Sequence, residues 1–178
     1  MSRLPALALI ASAAVFALAG CASMSPEECM VANWAEQGHK DGRNGYAPTR
    51  ITEHRKACAE VGVVPDGRRY RMGWDEGVLE YCTPANGISQ GRAGRPYRNV
   101  CPPQLEDEFV YWHQLGTDVY QAQKRVDDLT RDIDQLERKL RKSDNRRERQ
   151  RLRRELDDTQ AHLHAARRDL SRAEMRLR

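Results

Sequence analysis

The spacing of apolar residues changes character along the chain, and each change predicts a different kind of element. From Leu4 to Ala19 the apolar run is nearly unbroken, with Leu7, Leu9, Ile10, Val15, Phe16 and Leu18 in it. Beyond it come short helical blocks separated by turn residues. The first is expected over Glu27 to about Gly45, with Val31, Trp34 and Gly38 on one face. A second is expected over 50–61, closed by Gly62, after a turn at Pro48 and Thr49. Arg68 to Cys82 reads as a third helix, and Thr83-Pro84 as the cap and first residue of a short fourth. Gly91 to Pro96 reads as irregular, and from Gln104 the chain becomes long, charged and helical. No strand pattern is evident, so the expected fold class is all-α.

The last third has the most regular pattern. Apolar residues recur in steps of three and four through Val126, Leu129, Ile133, Leu136 and Leu140. They resume through Leu152, Leu156, Thr159, Leu163, Ala166, Leu170, Ala173 and Leu177. This is coiled-coil spacing, and it breaks between Leu140 and Leu152, around Ser143-Asp144-Asn145. Asn145 with Glu148 resembles a capping box. Folding the chain back near residue 146 forms layers from positions that sum to 292: 140 with 152, 136 with 156, 133 with 159, 129 with 163, 126 with 166, 122 with 170, 119 with 173, and 115 with 177. A helical hairpin is therefore favoured over one continuous helix that pairs in parallel with a second copy. A homodimer through the coil stays open.

The N-terminal run is too short and too alanine-rich for a spanning helix, and it ends in small residues after Arg3 at its start. Its ending, Leu18-Ala19-Gly20-Cys21, resembles the lipobox of bacterial lipoproteins. That resemblance implies diacylglycerol on the Cys21 thiol, cleavage before it, and acylation of the new terminus, which together anchor a protein stably. Position 22 is Ala, where Asp would resemble an inner-membrane retention signal. The expected location is thus the periplasmic face of the outer membrane, lipid-anchored. The expected organisation is a signal peptide over 1–20, a lipidated tether over 21–28, a helical Gly/Cys domain over 29–116 and a coiled-coil hairpin over 117–178.

Without residues 1–20 the chain has 158 residues and a formal charge of +3, since Arg3 is removed from the +4 of the full sequence. Phe109 is then its single phenylalanine, so the core needs other support. Four cysteines remain beside Cys21: Cys29, Cys58, Cys82 and Cys101. An even number in an exported chain points to disulfides, and no pair has the Cys-x-x-Cys spacing usual in zinc sites. Antiparallel packing of the first two helices would bring Cys29 to Cys58, and a fold-back of the Gly-rich stretch would bring Cys82 to Cys101.

Glycine spacing repeats. Gly38, Gly42 and Gly45 recur as Gly87, Gly91 and Gly94, with Gly73 and Gly77 as a partial third copy. Glycine inside a helix costs about 1 kcal/mol against alanine, so the repetition suggests a use. Close approach of helix backbones is favoured over a glycine-lined ligand groove, because phosphate-binding glycine loops follow strands. The aromatic positions Trp34, Tyr70 and Tyr81 read as core before they read as a ligand platform.

Taken together, Cys29, Trp34, Gly38, Asp41-Gly42, Tyr70, Gly73, Glu76-Gly77, Tyr81-Cys82-Thr83-Pro84, Gly87, Gly91, Gly94, Tyr97, Val100-Cys101-Pro102, Phe109 and Gly116 form a pattern similar to the bacterial envelope family known as domain of unknown function 2799. The resemblance spans about Cys29 to Gly116 and implies no activity.

No catalytic set stands out. His39 lies near Asp41, two positions away, with no obvious nucleophile, and His162 and His164 point to different faces. No metalloprotease or nucleophile-elbow motif occurs. Helix packing could still assemble His39, Asp41 and Glu76, which keeps a small periplasmic enzyme as a minor alternative. The expected role is non-catalytic: interaction or scaffolding with an envelope partner, without cofactor or metal. The second reading concerns the hairpin tip, where ten Lys/Arg stand against Asp144 and Glu148 between Arg138 and Arg154. Arg146, Arg147, Arg149 and Arg151 are its candidate contacts for lipopolysaccharide, anionic lipid or peptidoglycan. Export excludes nucleic acid, and a merely solvated helix is the alternative.

Overall fold

The computed structural model describes residues 23–178. The signal-peptide reading and Cys21 lie outside the described residues. Among the described residues every regular element is helical: α1 (Pro26–Met30), α2 (Trp34–Arg43), α3 (Ile51–Cys58), α4 (Gly67–Tyr81), α5 (Pro84–Arg92), α6 (Pro103–Lys142) and α7 (Arg146–Met175). Short 3-10 turns precede and follow α3, over Pro48–Arg50 and Ala59–Val61. The all-α reading is correct.

The single helix expected over Glu27 to Gly45 is instead two. The helix is interrupted at Val31–Asn33, where the Asn33 side chain accepts from the backbone N–H of Ala35 and Glu36 and starts α2 afresh. The segment read as a tether also belongs to the fold from Ser23 on. Met24 is buried in the core, and Ser25 and Glu28 close a reciprocal capping box on α1. Gly62 ends the α3 region in a left-handed conformation, φ 70°, as a glycine after a helix commonly does. The stretch expected to be irregular from Gly91 stays helical to Arg92.

The glycines explain how the domain packs. α2 lies along α4, and α5 along the first turns of α6. At these crossings backbones touch. A Cβ on Gly38 would sit 1.9 Å from the carbonyl oxygen of Tyr70, and one on Gly73 1.8 Å from that of Ala35. In the second pair a Cβ on Gly91 would sit 2.2 Å from the carbonyl oxygen of His113, and one on Gly116 2.5 Å from that of Ile88. No side chain fits in such gaps, so the helix-propensity penalty of glycine is offset by close contact over the whole crossing.

The two pairs are copies of one unit. Gly38, Gly42 and Gly45 stand 49 residues before Gly87, Gly91 and Gly94, and Tyr70, Trp74, Gly77 and Tyr81 stand 39 before Phe109, His113, Gly116 and Tyr120. The hydrogen bonds repeat with them. Tyr46 N–H donates to the Asp41 carbonyl and Arg95 N–H to the Gln90 carbonyl, both at 3.0 Å. Trp74 Nε1 donates to the Tyr46 carbonyl and His113 Nε2 to the Arg95 carbonyl, both at 2.8 Å. Gly45 (φ 68°) turns under the Tyr81 ring as Gly94 (φ 66°) turns under Tyr120. The first copy carries an insertion, α3 with its flanking turns, between its two helices.

Each copy also carries one disulfide that ties the segment leading into its first helix to the segment joining the pair. Cys29–Cys58 and Cys82–Cys101 are bonded, with Cα separations of 5.4 and 5.6 Å. This is the expected connectivity, although Cys29 reaches Cys58 from the separate helix α1, which packs on α3. The core they enclose holds Trp34, Tyr70, Trp74, Val78, Tyr81 and Phe109. The rings of Tyr81 and Tyr97 each lie 5.1 Å from Phe109.

Beyond Gly116 the chain is the expected hairpin. α6 runs unbroken through the position read as a domain boundary, so the arm is rigidly continuous with the second copy. α7 folds back along it. All sixteen residues of the layers summing to 292 are buried or half-buried. At the bend Asn145 caps α7, but Glu148 does not return to the cap backbone. Its carboxylate accepts the Ser143 hydroxyl at 2.7 Å instead.

Candidate functional site

Burying a carboxylate in a small domain requires compensating donors, and Asp41 has them on every side. It projects from α2 and is 3% exposed. Oδ2 accepts from Tyr70 Oη at 2.8 Å and lies 2.7 Å from His54 Nε2, while Oδ1 accepts from Gln37 Nε2 at 3.3 Å. Arg50 Nε stands 3.5 Å from Oδ1. His54, fully buried on α3, has Nδ1 2.9 Å from Ser23 Oγ. Burial first, then the hydrogen bond to Asp41, pushes the Tyr70 phenol far above its ordinary range. The inserted helix α3 thus supplies the histidine, and the N-terminal segment supplies the hydroxyl that completes it.

The order serine, histidine, carboxylate is that of a nucleophile relay. Here the histidine is wholly enclosed and the carboxylate is shared among a phenol, an amide and a guanidinium as well. The cluster neutralises a buried charge and ties α2, α3, α4 and the N-terminal segment together.

Beside it lies a cleft of about 560 Å³ where the two copies meet. Lys40, Asp41, Asn44, Tyr46 and Arg50 line it from the first copy and Gln90, Arg95 and Arg98 from the second, with Ser23 on its edge. Four cations therefore face one carboxylate. The Arg50 guanidinium stacks on the Tyr46 ring at 3.7 Å, and that of Arg98 lies over the same ring at 4.8 Å. Arg95 donates to Gln90 Oε1 at 3.3 Å. Among the described residues, Lys40, Arg95 and Arg98 have no carboxylate within ion-pairing distance.

The residues singled out from sequence fall into distinct places. His39 pairs with Glu80 at the surface, 3.0 Å away, and Glu76 is exposed on α4, so neither joins Asp41. His54 was missed because no motif marks it, yet Ile51, His54 and Cys58 form the inward stripe of α3, and a histidine on such a stripe calls for a buried partner. His162 and His164 are both exposed. Among the described residues no group of three or more His, Cys, Asp or Glu is placed to hold a metal ion. At the hairpin tip Arg146, Arg147 and Arg151 are exposed, whereas Arg149 is half-buried and donates to the Ser143 carbonyl at 3.2 Å. Arg149 thus helps fasten the bend. Among the described residues, no helix is long and apolar enough to cross a membrane.

No curated protein and no solved structure matches the chain. Residues 33–118, which hold both glycine-packed helix pairs and the cleft between them, match the family described as "Protein of unknown function (DUF2799)", and that segment of the chain belongs to the family.

Proposed function

We propose that the protein is a lipid-anchored outer-membrane protein with a non-catalytic interaction role in the cell envelope. The observation that carries this reading is the arm: α6 runs from Pro103 to Lys142 without a break, and its part beyond Gly116 extends about 40 Å at 1.5 Å per residue directly from the domain. Leu18-Ala19-Gly20-Cys21 supports lipid on Cys21, and Ala22 favours the outer membrane. Ser23 and Met24 already belong to the fold, so a lipid on Cys21 would hold the domain against the membrane and leave the arm as the part that reaches a partner. The fully buried His54, engaged at both ring nitrogens, supports a role without chemistry.

The test is fractionation. Cys21→Ser should leave the protein uncleaved or released from membranes. Unchanged co-sedimentation with the outer membrane would overturn the anchor. In-vivo crosslinking at the exposed tip should capture an envelope partner, and its absence there and along the arm would overturn the interaction role.

A second reading has its own observation, the exposed Arg146, Arg147 and Arg151 at the tip. They would hold an envelope polyanion by exposed charge, which salt screens beyond roughly 8 Å at physiological ionic strength. Replacing all three with Gln should weaken salt-sensitive binding to lipopolysaccharide. Unchanged binding would return the tip to a solvated helix end.

A further inference from the structure

We propose that the cleft between the two helix pairs is a phosphate-binding site, and that its occupant is the phosphate of an anionic phospholipid headgroup in the membrane beneath the domain. The tip has no part in this site.

The charge arrangement calls for an anion. Arg50 and Arg98 both lie over one ring, Tyr46, at 3.7 and 4.8 Å, and like charges held together in a cleft repel unless an anion offsets them. Asp41 and Glu53 offset Arg50 only in part, at 3.5 and 3.7 Å, because the Asp41 oxygens are already engaged by His54, Tyr70 and Gln37, and neither carboxylate pairs with Arg98. Arg50 Nε is buried and has no hydrogen-bond acceptor among the described residues. Leaving such a donor unmet carries a penalty that an incoming oxygen would remove. Lys40, Arg95 and Arg98 supply further donors around the same space. Guanidinium groups match phosphate oxygens in paired geometry, and several donors converging on one tetrahedral anion suit phosphate better than a lone carboxylate.

Position identifies the source. Ser23 is on the edge of the cleft, and two residues of chain span at most about 7 Å. A lipid on Cys21 would therefore set the mouth of the cleft at headgroup depth. The source of the phosphate rests on the lipid-anchor reading, while the cleft itself does not. The two fail separately: loss of the anchor shows in fractionation, and loss of the cleft shows in the binding of protein that carries no lipid.

The experiment uses the mature chain, residues 21–178, with Cys21→Ser and the tip changes Arg146→Gln, Arg147→Gln and Arg151→Gln, so that leader, lipid and tip are silent. Sedimentation with phosphatidylglycerol vesicles should exceed that with phosphatidylcholine vesicles at least roughly tenfold. Adding Arg95→Gln and Arg98→Gln should abolish the difference, with helicity and both disulfides retained. Should that variant not fold, Lys40→Gln at the exposed rim should reduce the preference on its own. Equal binding to both vesicles, or a preference untouched by the cleft changes, overturns the proposal. Inorganic phosphate should compete at millimolar concentration. If it raises the melting temperature through Arg95 and Arg98 while vesicles do not bind, the site takes soluble phosphate and the membrane docking is overturned.

Discussion

The glycine-packed domain and the hairpin arm are both helix-on-helix structures, and they hold together by opposite means. In the domain, backbone meets backbone: Gly38, Gly73, Gly77 and Gly91 leave no room for a single added carbon. In the arm, side chain meets side chain, with Leu136, Leu152 and Leu163 as buried layers and Ala166 and Ala173 opposite larger residues. The domain has large aromatic residues and two disulfides to close it, and the arm beyond Tyr120 has neither. The difference teaches where each half tolerates change. Side-chain layers relax around a substitution, whereas a backbone crossing has only one separation at which it fits.

The largest effect should therefore come from the smallest substitution. Gly73→Ala places a carbon against the Ala35 carbonyl and should cost about 4 kcal/mol or more, read as a collapse of the urea midpoint. A loss below about 1 kcal/mol would show that the helices can slide apart, and the contrast with the arm would fail. Removing Cys82–Cys101 by replacing both residues with Ser should cost about 3–4 kcal/mol in the chain-entropy model. Hydrogen exchange should quicken in α5 and the start of α6 before it does in α7. Leu152→Ala should cost about 2–3 kcal/mol, with fast exchange confined to the arm and the domain amides unchanged. Spread of that effect into α2 and α4 would mean the two halves fold as one unit.

The smallest expected effect concerns Tyr70. Its phenol is held well above the usual tyrosine range, by burial and then by Asp41. The folded state keeps the proton where the unfolded chain releases it, so this contribution is whole below about pH 10 and declines as pH rises above that. Tyr81 and Tyr97 are raised by burial as well and share the trend. Tyr70→Phe should lower stability at pH 7 by about 1 kcal/mol, since one donor to Asp41 is lost, and should flatten the alkaline decline. An unaltered alkaline profile would remove Tyr70 from that explanation.

Much of this was legible along the chain. The layers of the hairpin followed from heptad spacing and a break near Asn145, because an arm of two helices is specified by local periodicity. The disulfide pairing followed from which helix ends a short connection brings together. The repeated glycines announced close packing, though not which backbone each one meets. The break at Val31–Asn33 was hidden because its only signal is one capping asparagine inside an apolar run.

What the sequence by itself determined is the helical class, the hairpin and its layers, and the two bridges, since each depends on residues near one another in the chain or on a periodicity that needs one partner surface. What only the tertiary structure decided is the equivalence of the two helix pairs, the burial of Asp41 with His54, Tyr70 and Ser23, and the gathering of Lys40, Arg50, Arg95 and Arg98 into one cleft. Those residues are tens of positions apart and sit on separate elements. They meet because two glycine-lined crossings fix how close, and at what angle, the helices that carry them can lie.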